Sequence, residues 1–142
     1  MLPTTCRNNN NAMIYGLFND RSRTIHLANA GFPHALLASQ GNLVPVDAGG
    51  IPLGLWPGTT YTTQTLRVEP DDLLVMCSDG LMEARDDRGE VFEASRLRLA
   101  IGDLAGRSAE QIAAGLTQSA IDFAGGDTRQ EDDYTTVVLK FL

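Results

Sequence analysis

The sequence has little of what most catalytic and metal sites are made from. Among 142 residues there are two histidines, His26 and His34, and two cysteines, Cys6 and Cys77. Two histidines give almost no material for a His-rich metal centre or a His-based nucleophile relay. The cysteines lack the paired spacing of a zinc site. Cys77 lies inside an apolar run, where a thiol acts as a small hydrophobe, so no disulfide is expected. Cations are scarce too: 11 Lys and Arg stand against 18 Asp and Glu, for a formal net charge of −7. They are scattered, whereas a phosphate-backbone binder needs them clustered, so nucleic acid is excluded as a partner. No stretch nears the roughly 20 apolar residues of a membrane span. The start "MLPTTCRNNNN" has no basic flank followed by an apolar segment, the mark of a secretory signal. These absences predict a soluble, cytoplasmic protein with no membrane partner, whose chemistry rests on carboxylates.

What is present suffices for one domain or most of one, since 43% of the residues are hydrophobic. Residues 1–11, ending in four asparagines, read as a loop or frayed start. "AMIYGLF" and "TIHLANA" flank the turn-forming "NDRSR" and predict a hairpin. "HALLAS" and "LVPV" around "QGN" predict a second, with Gly41 and Asn42 at positive φ. "GGIPLGLWPG" has four glycines and two prolines in ten residues and must be an irregular crossing loop. Its Trp56 is expected to plug the core, with the lining of a substrate groove as the alternative.

The β-branched "TTYTTQTLRV" alternates, with Tyr61, Thr63 and Thr65 on one face, and predicts a strand. "EPDD" reads as a type I turn with Pro70 second, feeding the continuously apolar "LLVMCS", a central strand covered on both faces. The period then changes. Leu97, Ile101 and Leu104 share one helical stripe; Ser108, with Gln111 three residues on, is the N-cap of a second helix carrying Ile112, Leu116, Ser119 and Phe123. The helical pair covers 93–123 and stops at Gly125 and Gly126, and a closing strand covers 134–141. This order predicts an α+β fold, helices lying on a mainly antiparallel sheet.

Asp79 leaves the end of the apolar strand, while Asp132 and Asp133 enter the closing one. Placed as neighbours, the two strands bring these carboxylates together. Converging carboxylates repel and need a proton or a cation, and an oxygen-only set selects hard ions of the Mg²⁺ and Mn²⁺ class. Gly80 permits close backbone approach, and a backbone carbonyl can itself be a ligand. Taken singly, Asp-Gly after a strand is also a common turn, and Asp-Asp in a polar loop a solvated cap.

"LANAGFPHALL", "GGIPLGL", "RVEPDDLLVMCSDGLMEARDDRGEVF" and "EDDYTTVVLKF" occur in this order from Ala12 to Leu142. In order and spacing they resemble the bacterial metal-dependent (PPM, type 2C) serine/threonine protein phosphatases related to the sporulation stage II protein E and to the regulators of stress sigma factors. The resemblance implies a layered α-β-β-α sandwich with a two-metal site at one end, in which two Mn²⁺ or Mg²⁺ ions activate water for in-line attack on phosphorus. It makes Asp79, with Gly80 beside it, and Asp132 metal-binding positions, and gives Asp133 a supporting role. His34 follows "AGFP", where relatives commonly carry His in place of Phe32. Period two places His34 on the same strand face as Phe32, as a phosphate-proximal helper or a surface histidine. Arg85 is a further candidate for phosphate, or a solvated arginine. The implied substrate is a phosphorylated regulatory protein such as an anti-sigma-factor antagonist.

The family's opening "GD" strand has no counterpart here; the only early candidate, Asp20, lies in a hairpin turn. The chain therefore reads as a partial domain over 1–142, lacking its N-terminal strands and helices. Little activity is expected from it alone, and exposed sheet edges favour homo-oligomers. The rival reading is a non-catalytic, phosphatase-like interaction module.

Overall fold

Two antiparallel sheets organise the chain, each at the centre of its own compact unit, in the computed structural model of the protein. The structure describes residues 11–46, 50–126 and 133–142, with the backbone only at His34. Cys6 and Asp132 lie outside them.

The first unit runs to Phe32 and then from Val46 to Val68. Its three strands, β1 (Met13–Asn19), β2 (Thr24–Ala30) and β5 (Thr63–Arg67), lie in the order β1-β2-β5. The first hairpin forms as expected, with Asn19 opposite Thr24. The Asn19 side-chain oxygen accepts from the Arg21 and Ser22 amides at 3.0 and 3.2 Å, a short polar side chain standing in for a backbone acceptor. β2 is central and buries Ile25 and Leu27. β1 is an edge that leaves Met13, Tyr15 and Leu17 exposed. Asn11, expected to close a frayed start, instead exchanges backbone hydrogen bonds with Leu53. β5 is shorter than the ten-residue run predicted; residues 59–62 stay outside it.

Two further expectations fail. Trp56 is 73% exposed, so it plugs no core; Gly54 and Gly58 at positive φ fold its loop so that Leu55 and Trp56 point outward. Phe32 also precedes the strand that begins at His34, so the period-two argument does not link the two residues. Gly31 turns the chain there at φ 75°, where a Cβ would come within 2.6 Å of Pro52.

The second unit contains β3 (His34–Ser39), β4 (Asn42–Pro45), β6 (Leu73–Cys77) and β7 (Thr136–Lys140) in the order β4-β3-β6-β7, every pair antiparallel. The β3–β4 turn places positive φ at Gln40 (49°) and Gly41 (78°). Asn42 is instead the first residue of β4, opposite Ser39. A two-residue hairpin turn of type I′ has positive φ at both central positions, and here these are Gln40 and Gly41.

The turn before β6 is type II rather than type I, because Asp71 sits at φ 71°. It is closed from inside. The buried Asp72 carboxylate accepts from the Glu69 amide at 2.8 Å while the Asp72 amide donates to the Glu69 carbonyl at 3.1 Å.

β6 holds the central position its apolar run predicts, with Leu73, Leu74, Val75 and Cys77 buried. After it come a four-residue helix, α1 (Asp79–Met82), then α2 (Glu93–Asp103) and α3 (Ala109–Ala124). α3 starts with the predicted capping box: the Gln111 amide donates to Ser108 Oγ, and the Gln111 side chain accepts from the Ser108 amide, both at 3.2 Å. Its buried stripe is Ile112, Leu116, Ala120 and Ala124. Ser119 and Phe123, expected on it, flank it. Phe123 turns towards α2, edge-on to Phe92 at 5.7 Å with the Arg96 guanidinium 4.3 Å above its ring. Leu97, Ile112 and Leu116 pack with Leu73, Val75 and Cys77, so the helices cover one face of the four-stranded sheet. Among the described residues no helix is long and apolar enough to cross a membrane.

Candidate functional site

The site begins where β6 stops being apolar. Cys77, its last residue, is fully buried and has two register partners, His34 on β3 and Thr136 on β7. The first residue of β3, the last of β6 and the first of β7 therefore line up at one end of the sheet. Burial pushes the Cys77 thiol up to about 11, against the smaller opposing effect of a hydrogen bond to Thr136. It stays protonated at neutral pH and packs as a small hydrophobe inside the core. The Thr136 hydroxyl also pairs with that of Thr117 at 3.0 Å, fastening the start of β7 to α3.

One residue further on, the chain leaves the core. The Ser78 amide donates to the Thr135 carbonyl at 3.0 Å, the Ser78 hydroxyl donates to the Asp133 carbonyl at 3.1 Å, and the Thr135 amide donates to Ser78 Oγ at 3.0 Å. These three bonds extend the β6–β7 ladder past its regular end, and they flank both stretches of acidic sequence. Asp79 follows Ser78 as the first residue of α1 and is exposed; Gly80 is half-buried behind it. Asp133 is exposed on the facing segment.

The structure thus brings Asp79, Gly80, Asp133 and the backbone of His34 to one sheet end. Asp132, the chain neighbour of Asp133, lies outside the described residues. Arg85 is engaged elsewhere, its guanidinium donating to the Gly89 carbonyl at 3.2 Å within a small hairpin closed by the Arg85–Val91 bridge.

The donor chemistry suits a hard divalent cation, because it consists of carboxylate and carbonyl oxygens with no available thiolate. Among the described residues no group of three His, Cys, Asp or Glu converges closely enough to enclose an ion. One or two carboxylates with retained waters are a usual Mg²⁺ arrangement, and the set fits that limit.

Sequence reasoning overlooked Ser78. The available signal was a hydroxyl residue placed directly between a buried strand and Asp-Gly, where a short side chain can bond neighbouring backbone.

Comparisons with known proteins bear on this geometry. The family model described as Stage II sporulation protein E (SpoIIE) matches residues 5–142. Protein IcfG of Synechocystis is 28% identical over 86 residues, which are 60% of this chain and 14% of that protein. Among solved structures, the PP2C phosphatase domain of Bacillus subtilis SpoIIE with a fragment of its regulatory domain superposes with a TM-score of 0.81 at 18% identity, covering 96% of this chain and 40% of that one. The manganese-presoaked phosphatase domain of the same protein gives 0.70 at 17% identity, over 91% and 56% of the respective chains. The chain therefore spans about half or less of the relatives it matches. At these identities the superpositions establish an α+β fold with antiparallel sheets, that of the PP2C phosphatase domains. Because the family model extends over nearly the whole length, the chain belongs to the stage II sporulation protein E family of PP2C-like phosphatase domains.

Proposed function

We propose that the protein removes phosphate from phosphoserine or phosphothreonine on a regulatory protein, as the output domain of a bacterial signalling protein. The observation that carries this reading is the Ser78 clamp, which holds Asp79 and Asp133 on adjoining segments at one sheet end. Asp79 and Asp132 would ligate Mn²⁺ or Mg²⁺, with the Gly80 backbone as a further oxygen donor. A bound ion of this class shields phosphoryl oxygens and acidifies a water enough for it to attack phosphorus near neutral pH.

The chain's own residues hold the ligands and set the local field. Ser78 fixes where the backbone turns from strand to α1 and hence where Asp79 projects. Asp133 adds negative charge, which concentrates divalent cations and repels phosphate until a cation is present. His34, in register with Cys77, assists near the phosphate. Exposure of Asp79 and Asp133 suits a phosphate carried on another protein. That substrate is a small phosphorylated switch protein such as an anti-sigma-factor antagonist. The β1 edge, with Met13, Tyr15 and Leu17 exposed, is the surface through which copies would associate.

The test is release of phosphate from a phosphoserine protein by the longest form that the gene encodes. Release should require Mn²⁺ or Mg²⁺ and fall at least about 100-fold in Asp79→Asn and Asp132→Asn, the scale set by losing a group that stabilises transition-state charge. Undiminished release in both variants refutes the metal assignment. Binding of the phosphoprotein without turnover favours the non-catalytic interaction module.

A further inference from the structure

The far end of the same unit holds a cavity that the phosphatase reading does not use. Its volume is about 220 Å³, and it lies where the β3–β4 turn, the start of β6 and the end of β7 meet the α2–α3 connection. Leu43, Leu73, Ile101 and Ile112 supply apolar wall. On the α2–α3 side the lining is Gly102, Ala105 and Gly106, and a Cβ added at Gly102 or Gly106 would meet no atom within 4 Å. Small residues thus keep the space open.

The polar rim is uneven. Lys140 is mostly buried, and its ammonium is satisfied by the Asp71 carboxylate at 3.0 Å and the Arg107 carbonyl at 3.3 Å. Arg98 also lines the cavity, is exposed, and has no ion pair or hydrogen bond among the described residues. On a chain of net charge −7, an unpaired guanidinium at the mouth of an apolar cavity is a local reversal of sign. Guanidinium presents a planar fork that matches a carboxylate in two parallel hydrogen bonds.

We propose that this cavity binds a small amphiphilic anion, with a short alkyl chain or single ring inside and one carboxylate on Arg98. The volume is below that of drug-sized sites, which limits the apolar part to such a body. The wall contributes affinity by removing apolar surface of the guest from water, and Arg98 selects for charge. The site is independent of Asp79 and of the metal.

Octanoate and octanol serve as matched probes, followed through the backbone amide resonances of the intact protein. Octanoate should shift the Gly102, Ala105 and Gly106 amides saturably and bind more tightly than octanol. Arg98→Gln should weaken octanoate by about tenfold, the scale of one lost charge-assisted hydrogen bond, and leave octanol unchanged. Gly102→Leu, at a helical position without positive φ, should fill the cavity and abolish binding of both. Absence of saturable shifts at these amides overturns the proposal, as does equal binding of the two probes that Arg98→Gln leaves untouched. Should Gly102→Leu fail to fold, the Arg98→Gln comparison decides alone.

Discussion

Ser78 Oγ donates to the carbonyl of Asp133 at 3.1 Å, although 55 residues separate the two in sequence. With the returning bond from the Thr135 amide at 3.0 Å, one hydroxyl both donates to and accepts from the same facing segment. The chain that ends in Asp79 and the chain that carries Asp133 are thereby held together beyond the last regular pair of the sheet, Cys77 and Thr136.

Removing that hydroxyl should affect ion binding more than folding. Two hydrogen bonds of a half-buried hydroxyl stabilise by about 1–2 kcal/mol in total, so Ser78→Ala should lower Tm by a few degrees. Its Mn²⁺ affinity should drop further than Tm indicates, and Ser78→Thr should restore both. A thermal melt paired with a Mn²⁺ titration checks this; unchanged affinity in Ser78→Ala contradicts the positioning role.

Cys77 makes stability pH-dependent in the alkaline range. Its thiol titrates at about 11 in the folded chain against an ordinary 9.0, so between these values the unfolded state releases a proton that the folded state retains. Stability from this group is complete below pH 9 and declines up to about pH 11, by roughly 2–3 kcal/mol. Urea unfolding at stepped pH should show this decline, and Cys77→Ala should reduce its slope whatever the variant's own stability. An identical slope in both proteins refutes it.

Gly102 in α2 and Gly115 in α3 should respond differently to alanine. At Gly102 a new methyl meets nothing within 4 Å, and Gly→Ala inside a helix is worth about 0.5–1 kcal/mol, so Gly102→Ala should raise Tm. At Gly115 the methyl would lie 2.7 Å from both δ-carbons of Leu104, which must move. Gly115→Ala should therefore gain less than Gly102→Ala or lose stability; an equal gain contradicts the packing of Leu104 on α3.

How much of this was legible in the sequence depended on how local each signal was. The Ser108 capping box, the apolar run of β6 and the turn after Asn19 are set by residues within a few positions of one another, and each was readable. The turn at Asp71 was misread because its type is fixed by contacts from elsewhere: the Asp71 amide donates to the Phe141 carbonyl at 2.8 Å, and the Phe141 amide donates to the Asp72 carbonyl at 3.0 Å. Two of the four residues expected on the α3 stripe, Ser119 and Phe123, flank it instead, and Phe123 has a partner, Phe92, that periodicity cannot reveal. Trp56 was expected inside on hydrophobicity alone, while the glycines around it dictate a loop that turns it out. At the candidate site, carboxylates following and preceding strands marked Asp79 and Asp133. Nothing in the sequence showed that β6 and β7 are neighbours, the pairing that makes the carboxylates meet, or that Ser78 joins them.

The central claim is that Asp79 and the Asp132–Asp133 segment form one divalent-cation site. Its most direct test is Mn²⁺-induced broadening of backbone amide signals at substoichiometric metal. Broadening should centre on Ser78, Gly80, Thr135 and Thr136 and vanish in Asp79→Asn, while the amides around Gly102, at the other end of the sheet, stay sharp. Broadening that spreads over the acidic surface at random, or that survives Asp79→Asn unchanged, contradicts it.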